Sequence, residues 1–162
     1  MSTEEKYFLK PGYIFASEQP YLIHTVLGSC VSVCLWDIVR KAGGMNHYIY
    51  GRANRGNCNA RYGDASILYL VHYLIREMGC RRPNLRAHII GGGYNRELDS
   101  KIGDGNIAVA EELLKENGIE VATKDVGGEA GRKVIFNNVT GEVLVYKGIN
   151  IRRSDWYPAD EE

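Results

Sequence analysis

The chain carries four cysteines (Cys30, Cys34, Cys58 and Cys80) and four histidines (His24, His47, His72 and His88), the side chains best suited to nucleophilic or metal chemistry. The cysteine gaps are 4, 24 and 22 residues, and no pair forms CxxC. His24 and His47 lie near Cys30 and Cys34 in sequence, but no zinc-ligand spacing is met, so neither metal nor cofactor is expected. Two stretches, GGGYNR at 91–96 and GDGN at 103–106, are glycine-rich, and the second precedes a helical segment whose amides could hold a phosphate. Neither completes GxGxxG, and no P-loop pattern is present, so turns and close backbone approach are the better reading.

Cys30 is the one thiol in a setting that favours chemistry. It stands in Leu27-Gly28-Ser29-Cys30, at a glycine-containing turn that leads into an apolar run. A thiol there can be exposed, and the backbone N–H groups around Gly28 and Ser29 could lower its pKa and later hold an oxyanion. His47 follows 17 residues on. If the run 30–36 folds back into 45–50, its imidazole can approach the thiol. Thr25, five residues before Cys30, could bond the other imidazole nitrogen and fix the tautomer. Hairpin geometry permits this set without requiring it. A cysteine on an apolar strand is ordinarily an inert small hydrophobe, and a solitary histidine is ordinarily structural. Cys34 reads as core, Cys58 and Cys80 receive no role, and His24, His72 and His88 read as structural.

The elements that must position these residues follow from periodicity. Residues 12–16 and 21–27 read as strands separated by the turn-prone Ser17-Glu18-Gln19-Pro20. Residues 30–36 read as a third strand and 45–50 as a fourth, with Gly43-Gly44 as the turn between them and His47 inside the fourth. Residues 51–63 read as a loop. A helix is expected over 64–78, with Asp64 as N-cap, an apolar stripe from Ile67 to Met78 and Gly79 ending it in the left-handed conformation. Residues 85–90 form a strand, and 105–117 a second helix stopped by Gly118. A strand at 119–124, a glycine-rich loop at 127–131 and a hairpin with arms 132–137 and 142–147 complete the order ββββ-α-β-α-βββ. Strands and helices do not alternate strictly, which disfavours a doubly wound parallel sheet. Helices on a mixed or largely antiparallel sheet, in an α+β arrangement of one or two sheet layers, fit better.

The 162 residues suit one domain, expected over 1–147 with a peripheral tail at 148–162. Lys plus Arg and Asp plus Glu are equal at 20 each, which argues against a protein whose affinity comes from phosphate backbones. Segment 40–86 nevertheless holds 9 basic and 2 acidic residues, and 87–162 holds 9 basic and 14 acidic. Folding can mix these charges over the surface, or leave a basic face for an acidic partner. No run of about 18 apolar residues suggests a membrane span. The polar N-terminus lacks an apolar signal core, so a cytoplasmic location with reduced thiols is expected.

The stretch LGSCVSVCLWD followed by GGMNHYIY closely resembles the CheD family of bacterial chemoreceptor glutamine deamidases. The resemblance continues through RYGDASILYLVHYLIREMG, HIIGGG, IGDGNIAVAEELLKENGIEV and KDVGGEAGRKVIFNNVTGEVLV, about residues 12–147. It implies a three-layer α/β/β sandwich with a papain-like Cys–His site, the GSC cysteine falling on Cys30, the NH histidine on His47 and the supporting threonine on Thr25. The implied activity is that of a protein-glutamine glutaminase. Specific glutamines in the cytoplasmic domain of a chemoreceptor become glutamates, with release of ammonia. The implied alternatives are a regulatory binding partner of a CheC-type CheY phosphatase and a receptor glutamate methylesterase.

Overall fold

The computed structural model describes residues 5–53, 58–94, 100–149 and 151. Its strands are β1 (Glu5–Phe8), β2 (Ile14–Ser17), β3 (Tyr21–Leu27), β4 (Val31–Asp37) and β5 (Ala42–Asn46), then β6 (Leu85–Gly91), β7 (Glu120–Val126), β8 (Gly131–Asn137) and β9 (Val143–Gly148). Helix α1 (Gly63–Met78) separates β5 from β6, and α2 (Lys101–Glu116) separates β6 from β7. One sheet has the order β1-β3-β8-β9 and the other β2-β5-β4-β6-β7. Only β1–β3 and β6–β7 pair in parallel; the remaining pairings are antiparallel.

Strand alternation shows how the layers stack. On β4, Val31, Val33 and Leu35 enter one core with Ile67, Leu70, Val71 and Leu74 of α1 and Val109, Leu113 and Leu114 of α2. The alternate residues Cys34 and Trp36 enter a second core with Ile23 and Leu27 of β3 and Val134 and Phe136 of β8. The five-stranded sheet is therefore covered by helices on one face and by the four-stranded sheet on the other, an α+β fold in three layers. Every residue of β4 is buried, which explains why CVSVCLW reads as a continuous apolar run.

The structure departs from the sequence expectations at five points. Strand β1 escaped notice because Glu5–Phe8 is charged, lies at a sheet edge and is half exposed, with no burial alternation. Gly43-Gly44 is not the turn between β4 and β5; both residues lie inside β5, and the chain reverses at residues 38–41, where Lys41 takes φ 57°. Strand β5 ends at Asn46, which puts His47 just beyond it. Helix α1 is capped by the extended Tyr62, and Asp64 sits in its first turn, where one carboxylate oxygen accepts the Ala65 N–H. Gly79 ends α1 at φ 69°, in the left-handed conformation. Finally, α2 begins four residues earlier than expected, at Lys101, because Gly103 and Gly105 are helical. The tail beyond Ile151, Asn150 and part of loop 51–63 (54–57) lie outside the described residues.

Two glycines are demanded by close approach. A Cβ on Gly43 would stand 2.3 Å from the Leu35 carbonyl oxygen and 2.8 Å from that of Asn138. One on Gly103 would stand 2.3 Å from the carbonyl oxygen of Gly92, whose own φ is +70°. The glycine-rich stretches thus let α2 lie directly on the chain leaving β6. Gly43→Ala is expected to destabilise the fold by about 3 kcal/mol, since neighbouring backbone cannot yield to an inserted methyl. Urea unfolding of the purified variant checks this; a loss below about 1 kcal/mol would contradict it.

Candidate active site

Thr25 and His47 meet in the layer between the two sheets. Thr25 is on β3 and fully buried, and His47 is 1% exposed. The Thr25 Oγ1 lies 2.7 Å from His47 Nδ1 and donates its hydrogen to the Leu9 carbonyl at 2.8 Å. A hydroxyl has one hydrogen, so with that hydrogen on Leu9 the oxygen must accept from Nδ1–H. The neutral imidazole is then the Nδ1–H tautomer, with its lone pair on Nε2. Leu9 reaches this position because β1 pairs with β3 in the register Phe8↔His24, and the Leu9 N–H continues that ladder to the His24 carbonyl at 2.8 Å.

The main chain of His47 is held from the opposite side. Its N–H donates to the Tyr13 carbonyl at 3.1 Å, and its carbonyl accepts the Gly12 N–H at 2.8 Å. The preceding Asn46 makes room for this. Its Oδ1 accepts the Val33 N–H at 2.7 Å, in the place a ladder carbonyl would occupy, so the chain leaves β4 by the length of a side chain before reaching His47. Pairing with β4 resumes at Tyr48, which exchanges both backbone hydrogen bonds with Val31.

That Val31–Tyr48 bridge fixes where Cys30 stands. In an antiparallel pair centred on it, Cys30 and His47 are diagonal neighbours on one face. That face is the inter-sheet one: Cys30 packs against the second core, and His47 bonds Thr25 of β3. The sequence expectation of three residues at one place thus holds for their sheet face and for the Thr25–His47 bond, although His47 lies outside the strand. Cys30 is half-buried, and desolvation pushes its thiol up to about 11, partly offset by its own backbone N–H. The resting group at neutral pH is therefore the thiol, and its proton has to be removed during any reaction.

The turn before Cys30 is anchored from several directions. The Gly28 carbonyl accepts the Gly93 N–H and the Cys30 carbonyl the Gly92 N–H, each at 2.9 Å. Asn106 of α2 donates from Nδ2 to the Ser29 carbonyl at 2.8 Å and to the Ile49 carbonyl at 2.9 Å. Gly28 has open space where a Cβ would sit, so packing does not demand glycine there, and a small residue leaves the approach to the sulfur clear. Asn46 and Asn106 were not recognised from sequence. Their signal is a buried asparagine beside a functional residue, which one sequence does not reveal.

The other cysteines and histidines offer instructive contrasts. Cys34 is fully buried, directs its S–H toward the Met45 sulfur and is pushed up in pKa by desolvation alone. His88 also meets a threonine, with Nδ1 2.6 Å from Thr123 Oγ1, but its Nε2 is 2.6 Å from the Gly141 carbonyl and must carry hydrogen. Both nitrogens are spent, and burial holds the ring neutral, lowering its pKa. His72 is exposed on α1, and His24 is buried beside Phe8. The basic middle segment is partly neutralised by folding: Arg40, Arg52 and Arg86 pair with Glu18, Glu112 and Glu120.

A three-layer α+β protein with a tautomer-fixed histidine and a half-buried cysteine on one sheet face has the parts from which thiol-dependent acyl-transfer sites are built. The chain belongs to the CheD family: the family model described as CheD chemotactic sensory transduction matches residues 50–147. It is 40% identical over 144 residues to a protein of Rhodospirillum rubrum named as a probable chemoreceptor glutamine deamidase CheD, covering 86% of this chain and 81% of that one. Proteins of the same name from Trichlorobacter lovleyi (40% identical, 88% and 91% covered) and Sulfurimonas denitrificans (34%, 87% and 93%) are similarly related. Among solved structures, Bacillus licheniformis hypothetical protein YfiH matches at TM-score 0.45 and 17% identity, covering 65% of this chain and 49% of that one. Neisseria meningitidis protein NMB0706 matches at TM-score 0.45 and 10% identity, over 77% and 64%. These two likenesses are too partial to bear on function.

Alkylation of the thiols checks the electrostatics. With its pKa raised to about 11, Cys30 exists as thiolate only at high pH, so its iodoacetamide labelling should climb steadily from pH 7 to 10 without a plateau. It should also outpace the fully buried Cys34 throughout. Site-resolved mass mapping reads both. A plateau near neutral pH would instead indicate a preformed thiolate–imidazolium pair, and labelling no faster than Cys34 a merely packed thiol.

Proposed function

We propose that this protein deamidates glutamine side chains of a chemoreceptor's cytoplasmic domain, with Cys30 as nucleophile, His47 as general base and acid, and Thr25 as the group that orients the imidazole. The observation that carries the reading is the Thr25 hydroxyl shared between Leu9 and His47, which leaves Nε2 as the basic nitrogen on the face occupied by Cys30. The names of the relatives supply the substrate class.

The chemistry runs in two halves. His47 Nε2 takes the proton of the Cys30 thiol, and the sulfur attacks the side-chain amide carbon of glutamine. The negative charge moves to the amide oxygen, where the Cys30 N–H and the Gly28–Ser29 turn hold it. The imidazolium gives its proton to the departing nitrogen, the C–N bond breaks and ammonia leaves a thioester. Water then gives a proton to Nε2 and attacks the thioester carbon. Collapse breaks the C–S bond, returns a proton to sulfur and leaves glutamate. A raised resting thiol pKa suits this order, because proton removal and attack are coupled at the same imidazole. Each turnover adds one negative charge to the receptor, which alters repulsion between its packed helices.

The reading carries a cytoplasmic location with it, and no helix among the described residues is long and apolar enough to cross a membrane. Gly28 and Ser29 support the oxyanion and the approach to sulfur, and Asn46 lets the chain leave β4 just before His47. The reading takes 1–147 as one catalytic domain and 148–162 as a tail without a part in the reaction. A CheC-type phosphatase is a second proposed partner, and a methyl ester is the competing substrate for the same thiol.

Incubation with a receptor cytoplasmic fragment tests the reading through ammonia release and a one-dalton Gln→Glu change. The intact protein should produce both, and Cys30→Ala and His47→Ala should produce neither while remaining folded. Methanol without ammonia would select the esterase, and no product alongside phosphatase stimulation would select a binding module. Thr25→Val should lower kcat about a hundredfold by freeing the imidazole. It should also cost about 1–3 kcal/mol of stability, because a buried carbonyl loses its donor. A Thr25→Val enzyme with unchanged kcat would remove the threonine from the mechanism.

A further inference from the structure

We propose that Asn106 is a positioning residue that sets the direction of the oxyanion-binding N–H of Cys30, acting through the Ser29–Cys30 peptide plane. The inference rests on the deamidase reading for its link to turnover. Asn106 is 1% exposed and lies in the second turn of α2, far in sequence from the cysteine. Its Nδ2 has two hydrogens, and both are committed: one to the Ser29 carbonyl at 2.8 Å, the other to the Ile49 carbonyl at 2.9 Å. The main-chain carbonyl of the same residue accepts the Tyr48 hydroxyl. One side chain therefore ties the turn that carries Cys30 to the segment just after His47.

The grip on Ser29 has a geometric consequence. The Ser29–Cys30 peptide is planar and trans, so its C=O and N–H point in opposite directions. With the oxygen drawn toward Asn106 in α2, the N–H must point away from the helix layer. That is the inter-sheet side, where Cys30 packs against the second core and His47 also lies. An N–H of the nucleophile's own residue, turned to that side, is placed to meet the oxygen of a carbonyl that the sulfur attacks. The bonds from Gly93 and Gly92 hold the flanking Gly28 and Cys30 carbonyls, whereas Asn106 holds the Ser29 carbonyl itself. Without that amide the Ser29–Cys30 peptide can turn and bring this carbonyl to face the developing oxyanion. The first turn of α2 lies close against the chain leaving β6, where Gly103 meets the Gly92 carbonyl.

The test compares the intact protein with Asn106→Ala and Asn106→Asp, each assayed well below its own measured melting midpoint. The aspartate variant keeps the side-chain volume but has no side-chain N–H, and it carries the expectation should the alanine variant not fold. The expected result is a fall in kcat of about a hundredfold, the scale of losing one oxyanion donor, with KM for the receptor fragment within about twofold of the parent. A second readout needs no turnover. At pH 8 the labelling of Cys30 by iodoacetamide, taken relative to the exposed Cys58 in the same sample, should slow several-fold, because the N–H that favours the thiolate is turned away. A folded variant with kcat within threefold of the parent overturns the proposal. So does a kcat loss that only matches the fraction of unfolded protein. If the intact protein releases no ammonia, the deamidase reading fails on its own account. The labelling ratio then decides the role of Asn106 alone, and an unchanged ratio refutes it.

Discussion

One buried hydroxyl governs the site. The single hydrogen of Thr25 goes to the Leu9 carbonyl, and this choice compels His47 to carry its own hydrogen on Nδ1. A base at Nε2 follows from that bond. Orienting histidine with a neutral hydroxyl has a chemical logic. A carboxylate in this buried layer would favour the imidazolium, whereas a neutral hydroxyl adds no such bias. The raised Cys30 thiol fits the same arrangement, since its proton stays on sulfur until a base removes it.

The rest of the fold can be seen as the framework for that arrangement. Edge strand β1 brings Leu9 to β3, the 12–13 turn grips the main chain of His47, and Asn46 replaces a ladder carbonyl so that the chain can leave β4. The helix layer acts from behind the central sheet. Asn106 reaches past the sheet edge to the Ser29 and Ile49 carbonyls, while the apolar stripes of α1 and α2 hold the layer in place. The proposed catalytic set is thus assembled from three layers, with no single hairpin sufficient to define it.

How much of this was legible in the sequence differs by element. The helices and the central strands announced themselves through period and burial, and Cys30 through its glycine-bearing turn. The family resemblance supplied the pairing with His47 and Thr25, which spacing alone left open. What stayed hidden has a common physical cause. Strand β1 is a polar edge whose worth lies in the carbonyl that follows it. The buried asparagines act through contacts 13 and 77 residues distant in sequence. Gly43, Gly44 and Gly103 looked like turn residues because glycine serves both turns and close approach, and only the neighbouring backbone tells the two apart. His47 and His88 likewise each sit beside a threonine, and only the second partner of each ring or hydroxyl separates a base from a spent structural imidazole.

The tautomer of His47 is the point on which the account stands, and nitrogen-15 NMR of the labelled imidazoles reads it directly. Above the pH at which His47 becomes neutral, its Nδ1 should show the shift of a protonated, pyrrole-type nitrogen and its Nε2 that of an unprotonated, pyridine-type one. Thr25→Val should blur that distinction into tautomer exchange. A pyrrole-type Nε2 in the intact protein would mean that the threonine donates to the ring, and the imidazole could not then serve as the base for Cys30.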